Sequence, residues 1–184
     1  MAILKVARLG HPVLRRRAEP VPVREITQPE TQRLIDDMIE TMHEYVGVGL
    51  AAPQVHVSSQ IAVLECEAHP AHPEMPKIPL MVVINPVLTP IGEETAPDWE
   101  GCLSIPDFRG VTPRHTAVRL EGYGRKGERL DLTAKDFFAR VLQHETDHLN
   151  GRVYLDRMRD LTTLSHLQEW NRHWLTAERE EEEA

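Results

Sequence analysis

Gln143-His144-Glu145-Thr146-Asp147-His148 carries two histidines and a carboxylate in the spacing H-E-x-x-H. On a helix, residues four apart stand one turn apart on one face, so the imidazoles of His144 and His148 can reach a single metal ion. Glu145 lies beside them, poorly placed for ligation in series and well placed to take a proton from metal-bound water. The context reads as that helix. Thr133 followed by Asp136 is a cap with an acidic first turn, and Asn150-Gly151 is a stop. Phe137, Val141, His144 and His148 fall at i, i+4, i+7 and i+11. This single stripe predicts an apolar wall leading up to the metal and a substrate with an apolar side chain. A helical histidine pair can also be a solvated face, but the capped apolar helix is the context that metal binding requires.

Two histidines do not complete a catalytic site, which usually has three protein ligands and a water. Cys102, in Glu100-Gly101-Cys102-Leu103-Ser104-Ile105-Pro106, is the natural third ligand, and Gly101 before it allows close approach to metal and substrate. The competing reading is a buried structural cysteine on a strand. Upstream, Gly47-Val48-Gly49-Leu50-Ala51-Ala52-Pro53-Gln54 is rich in small residues. It can lie along a cleft edge and offer N–H groups and the Gln54 amide to a bound peptide or an oxyanion. It can equally be a tight connection from helix to strand, which glycine also serves.

Other elements must position these stretches. Residues 3–9 read as a short strand or extended arm, and Arg15-Arg16-Arg17 as a solvated turn with local salt bridges. Thr27-Gln28-Pro29-Glu30 reads as a capping box opening an amphipathic helix over 28–44, with Leu34, Ile35, Met38, Ile39 and Met42 on its buried face. Residues 59–66 predict a buried strand in which Cys66 is core. The proline- and histidine-rich segment 67–79 predicts a surface loop, in which His69 and His72 make a poor metal site. Residues 80–88 predict a strand that is at an edge or bent, because it contains proline. Glu93, Glu94 and Asp98 make an acidic approach to Cys102. Residues 116–123 and 128–132 predict a hairpin, and 152–155 a short extended segment. Leu161, Leu164, Leu167, Trp170 and Trp174 predict a C-terminal amphipathic helix, followed by a frayed acidic tail over 176–184. The fold class expected is α+β: short, mostly antiparallel strands in small sheets around the central H-E-x-x-H helix, with an N-terminal amphipathic helix and a C-terminal helix. No repeat or linker divides the chain, so one domain over 1–184 is expected.

Composition narrows the function. At 41% hydrophobic and 27% charged residues the chain is an ordinary soluble one, and no apolar run approaches the roughly 20 residues that span a bilayer. The first residues carry no secretory signal, so a cytoplasmic location is expected. Two cysteines argue against a disulfide framework, and a net charge of −8 disfavours nonspecific nucleic-acid binding.

The three stretches 47–54, 100–104 and 143–148, in that order, together resemble peptide deformylase, and the resemblance runs from the Leu14-Arg15 turn to the final helix. It implies removal of the N-formyl group from formyl-methionyl nascent peptides, giving formate and a free amino terminus. Cys102, His144 and His148 would hold the metal with water in the fourth position. Glu145 would act as general base and then as acid. Gln54 and the Leu103 N–H would stabilise the oxyanion, and Gly49 and Gly101 would lie beside the substrate. Val48, Phe137 and Val141 would receive the methionine side chain, with Glu100 and Arg114 as a supporting ion pair. The implied metal is Fe²⁺ in the cell, with Zn²⁺, Ni²⁺ or Co²⁺ able to occupy the site. The resemblance also implies an encounter with nascent chains at the ribosome near the exit tunnel, with no membrane and no specific nucleic acid as partner. The run Glu180–Glu183 is acidic and would repel ribosomal RNA. Two readings compete. A zinc endopeptidase lacks the usual ligand downstream of the helix. A non-catalytic binding protein would have no use for an intact Cys102, Glu145 and histidine pair.

Overall fold

The computed structural model describes residues 2–67 and 77–174. Helix α1 (Pro29–Glu44) is followed by strands β1 (Gly49–Ala51), β2 (Ile61–Cys66) and β3 (Ile78–Pro90). Strands β4 (Thr95–Cys102), β5 (Ile105–His115), β6 (Ala117–Tyr123) and β7 (Arg129–Lys135) lead into helix α2 (Asp136–Leu149). Strand β8 (Ser165–His166) and helix α3 (Leu167–His173) close the described chain. The strands form a five-stranded antiparallel sheet, β1-β2-β3-β6-β7, and a three-stranded one, β4-β5-β8. The architecture is the expected α+β.

Strand β2 shows how the layers stack. Successive side chains of a strand point to opposite faces. Ile61 and Val63 pack with Ile35, Met38 and Met42 of α1. Leu64 packs with Ala139, Val141 and Leu142 of α2, and Ala62 with Leu149. The sheet therefore lies between the two helices. β2 is apolar on both faces, and its expected burial follows.

Several expectations shift in detail. Thr133 does not cap α2: it pairs with Arg119 inside the β6–β7 hairpin. Strand pairing there persists to Lys135, and the helix starts at Asp136, whose N–H donates to Thr116 O at 2.7 Å. Thr27 likewise caps nothing, because Pro29 occupies the first helical turn and Gln28 becomes the N-cap, without a side-chain bond. β3 is bent but is not an edge; it lies between β2 and β6, and Pro86 falls where the register shifts between Ile84 and Val87. A missing N–H costs nothing at such a bulge.

The Asn150-Gly151 stop is as expected. Asn150 caps α2, and Gly151 has φ +73° with Arg15 backbone so close that a Cβ would lie 2.8 Å from it. Residues 152–155 are extended only to Val153 and then form a 3-10 turn, Tyr154–Asp156. The C-terminal helix is shorter than the leucine and tryptophan spacing suggests. Asp160 caps a 3-10 turn at Leu161–Thr163, and Ser165–His166 pair with Arg109 and Phe108 of β5 before α3 begins. Trp170 and Trp174 rest on Trp99 of β4, with ring centroids 6.0 and 5.4 Å away. Arg15, Arg16 and Arg17 are exposed; Arg15 pairs with Asp156, far away in sequence. Cys66 is buried in the core. His69, His72 and the acidic tail 176–184 lie outside the described residues. Among those described, no helix is long and apolar enough to cross a membrane.

Candidate metal centre

Three elements bring the candidate residues together. β4 ends at Cys102, where Leu103-Ser104 turns the chain into β5. α2 presents His144, Glu145 and His148 from one face. The stretch after β1 folds into a 3-10 turn, Ala52–Val55, that places Gln54 in the interior. The N-terminal arm clasps two of these pieces: Ala7 N–H donates to Gln54 O at 2.7 Å and Leu9 N–H to Ser104 O at 2.8 Å.

The donor atoms of Cys102, His144 and His148 lie within 4.8 Å of one another, and Cys102 Sγ is 3.2 Å from His148 Nε2. Around a tetrahedral ion with bonds of roughly 2.0–2.3 Å, such donors stand roughly 3.3–3.6 Å apart, so the set fits one transition-metal ion. Its electrostatics suit a ligand too. Burial opposes ionisation of the Cys102 thiol, yet His148 and His144 hold its pKa well below the ordinary thiol value. Burial disfavours the His144 cation, and Cys102 and Glu100 outweigh it and raise its pKa. The thiolate is the form that binds metal.

A buried polar network orients the cluster. Glu100 Oε2 accepts the Nδ1–H of His144 at 2.8 Å, which turns Nε2 toward Cys102. Arg114 grips the same carboxylate from Nε at 2.8 Å and Nη2 at 2.9 Å, so the expected ion pair is present. Arg140 adds a bond to Glu100 Oε1 at 2.8 Å, and Asp147 receives both Arg114 and Arg157. Burial alone would raise the Glu100 carboxyl; the bonds from Arg114 and His144 hold it well below the usual carboxylate range. Sequence reasoning missed Arg140 and Asp147. The sequence shows each only as a charge, one turn before and one turn after His144 on its side of the helix, which by itself looks like an ordinary solvated helix charge. It also missed Tyr154, whose ring stacks on the His144 imidazole with 6.3 Å between centroids.

Glu145 is buried, and burial pushes its carboxyl up. Its Oε2 has no partner among the described residues. Gly49 lies directly against it. Gln54 Oε1 is tied to the Ala51 N–H at 2.8 Å, which points Nε2 at Ser104 Oγ (3.3 Å) and Cys102 Sγ (3.5 Å). The Leu103 N–H has no hydrogen-bond acceptor among the described residues, while its carbonyl accepts from Arg8. Val48, Phe137 and Val141 join one apolar cluster. The space beside Gly101 is taken by Arg109, whose Nη1 would lie 2.0 Å from a Cβ there. Arg109 was not singled out in the sequence; it also lies 5.9 Å from the centroid of Trp170.

The sequence model of the family described as polypeptide deformylase matches residues 3–163. Peptide deformylase 1 of Bordetella pertussis is 45% identical over 167 residues, 91% of this chain and 92% of that protein. Peptide deformylase 1 of Nitrosomonas europaea is 45% identical over 162 residues, 86% of this chain and 89% of that one. Among solved structures, a Met-Ala-Ser-bound class I type b peptide deformylase from Acinetobacter baumannii superposes with a TM-score of 0.81 at 36% identity, covering 85% of this chain and 99% of that one. The chain belongs to the polypeptide deformylase family and is an enzyme of that class.

Proposed function

We propose that this protein is a metal-dependent hydrolase that removes the N-formyl group from the terminal formyl-methionine of newly made polypeptides. The observation that carries the proposal is the convergence of Cys102, His144 and His148 within 4.8 Å, with Glu145 and Gln54 against them. A divalent metal held by these three residues supplies a Lewis acid that acidifies water and polarises the formyl carbonyl. Fe²⁺ is the metal proposed for the cell; Zn²⁺, Ni²⁺ or Co²⁺ can be carried by purified protein. Zinc generally outcompetes iron at such ligands, so metal content after purification does not identify the working ion.

The chain's own residues do the rest. Glu145 takes a proton from the attacking water, and its raised carboxyl pKa suits a group that must later give that proton back. As the water oxygen bonds to the formyl carbon, charge develops on the carbonyl oxygen. Gln54 Nε2–H and the Leu103 N–H stabilise it. The carbon–nitrogen bond then breaks, Glu145 protonates the amine, and formate leaves. Val48, Phe137 and Val141 receive the methionine side chain, while Gly49 keeps the backbone low beside the peptide and Gly101 makes room for Arg109 at the site's edge.

We further propose that residues 1–184 form one catalytic domain acting in the cytoplasm on nascent chains at the ribosome near the exit tunnel. The acidic run Glu180–Glu183 is unsuited to ribosomal RNA. The Acinetobacter baumannii relative binds Met-Ala-Ser, the product that formyl-Met-Ala-Ser would leave, so that peptide is the substrate to test. Anaerobically purified protein is expected to release formate from it, to stop on chelation and to recover with Fe²⁺. Fully metallated protein that releases none would refute the assignment.

A further inference from the structure

A cleft of about 740 Å³ lies behind α2. Gln143, Thr146, Asp147 and Asn150 face it, whereas Glu145 and His148 are turned roughly 150° away and His144 roughly 110° on a helix of 3.6 residues per turn. One wall is apolar, built from Pro86, Val87, Leu88 and Pro113, with Val87 58% exposed. The lining also carries Arg17, Arg157 and Arg159. The carboxylates of the cleft are already engaged: Asp156 by Arg15, and Asp147 by Arg114 and Arg157. The Arg17 and Arg159 side chains are exposed and have no hydrogen-bond or ion-pair partner among the described residues. Among the described residues, two cations of the cleft thus stand without counterions, in a chain whose net charge is −8.

We propose that this cleft binds a small amphiphilic anion, a phosphate monoester whose phosphate sits among Arg17, Arg157 and Arg159 and whose apolar body lies on the Pro86–Leu88 wall. Guanidinium forks match phosphate oxygens two at a time, and a dianion matches two free cations. The volume falls in the small-ligand range of about 300–1,000 Å³. The floor of the cleft leads to the metal cluster. Arg157 holds Asp147 through Nη2 at 2.6 Å and Nε at 3.0 Å; Asp147 accepts from Arg114, Arg114 grips Glu100, and Glu100 holds His144 Nδ1 at 2.8 Å. A ligand that draws Arg157 off Asp147 loosens the far end of this chain.

Phenyl phosphate titrated by calorimetry into the full-length, metal-loaded protein at a pH near 7.5, where it is a dianion, tests the site. It is expected to bind with a dissociation constant below roughly 1 mM, and phenol alone not to bind. Inorganic phosphate should bind more weakly. In the Arg17→Ala/Arg159→Ala double variant the affinity should fall at least about tenfold, while circular dichroism and ligand-free turnover stay unchanged. No heat up to roughly 10 mM, or binding that survives the double substitution, overturns the proposal. Inorganic phosphate binding as tightly as phenyl phosphate overturns it too. The calorimetric result stands whether or not the protein releases formate.

Discussion

A Cβ built on Gly49 would lie 2.3 Å from Oε1 of Glu145, 2.7 Å from its Cδ and 2.9 Å from its Cγ. The whole end of the side chain is in the way, and Glu145 is buried, so it has no free solvent to swing into. Gly49→Ala therefore displaces the carboxylate without touching a metal-binding residue. We expect turnover to fall at least about 100-fold, the scale of a misplaced general base, with metal content and circular dichroism unchanged. Turnover within about threefold of wild type would mean that Glu145 can shift without loss.

Glu145→Ala and Cys102→Ala should separate chemistry from metal binding. The first is expected to keep one metal per chain and lose nearly all turnover, about 100- to 10,000-fold. The second should lose both metal and turnover. Full metal occupancy in the cysteine variant, measured by elemental analysis after dialysis, would remove Cys102 from the ligand set.

Gln54 is held by the Ala51 N–H with its amide nitrogen toward Cys102 and Ser104. Gln54→Ala should lower kcat about 100- to 1,000-fold, the usual effect of losing one oxyanion donor. KM should move little, since the donor acts on charge that develops late. A change confined to KM would make Gln54 a substrate-binding residue only.

Glu100→Gln removes the charge that faces Arg114, Arg140 and His144 while keeping the shape. Breaking a buried pair from one side costs about 3–5 kcal/mol. Loss of the carboxylate behind His144 should also weaken metal binding about 10- to 100-fold. Urea unfolding and competition with a chelator read the two effects separately. An unchanged metal affinity would show that Tyr154 and the helix suffice to orient His144.

The same network sets acid stability. Burial raises Glu100 and Asp147, but their partners prevail: Arg114 and His144 at Glu100, Arg157 and Arg114 at Asp147. Both carboxyls stay below their ordinary values. A carboxyl with a lower pKa folded than unfolded binds fewer protons in the folded state, so its stabilisation is complete at neutral pH. That stabilisation is lost as the pH falls below about 4 toward the folded value. The urea midpoint of wild type should drop through that window, and Glu100→Gln should show a shallower drop from a lower start. Parallel pH profiles would refute the account.

The sequence by itself determined the parts whose logic is local. H-E-x-x-H on an apolar helix fixes His144, Glu145 and His148 relative to one another, because helical geometry leaves them no alternative. Alternation and apolar runs located β2 and the β6–β7 hairpin, and Gly151 marked the end of α2. Tertiary structure decided what depends on surroundings. Thr133 has the chemistry of a cap, but pairing with Arg119 is worth more to its backbone than starting the helix early. Leu161 and Leu164 have helical spacing, but Asp160 and the pairing of Ser165–His166 with β5 take those residues first. Arg140 and Asp147 look like ordinary helix charges until Glu100 and Arg114 from the second sheet meet them in the interior. Burial makes that meeting consequential: in water the same four groups would interact weakly, whereas between α2 and the β4–β5 hairpin they orient His144.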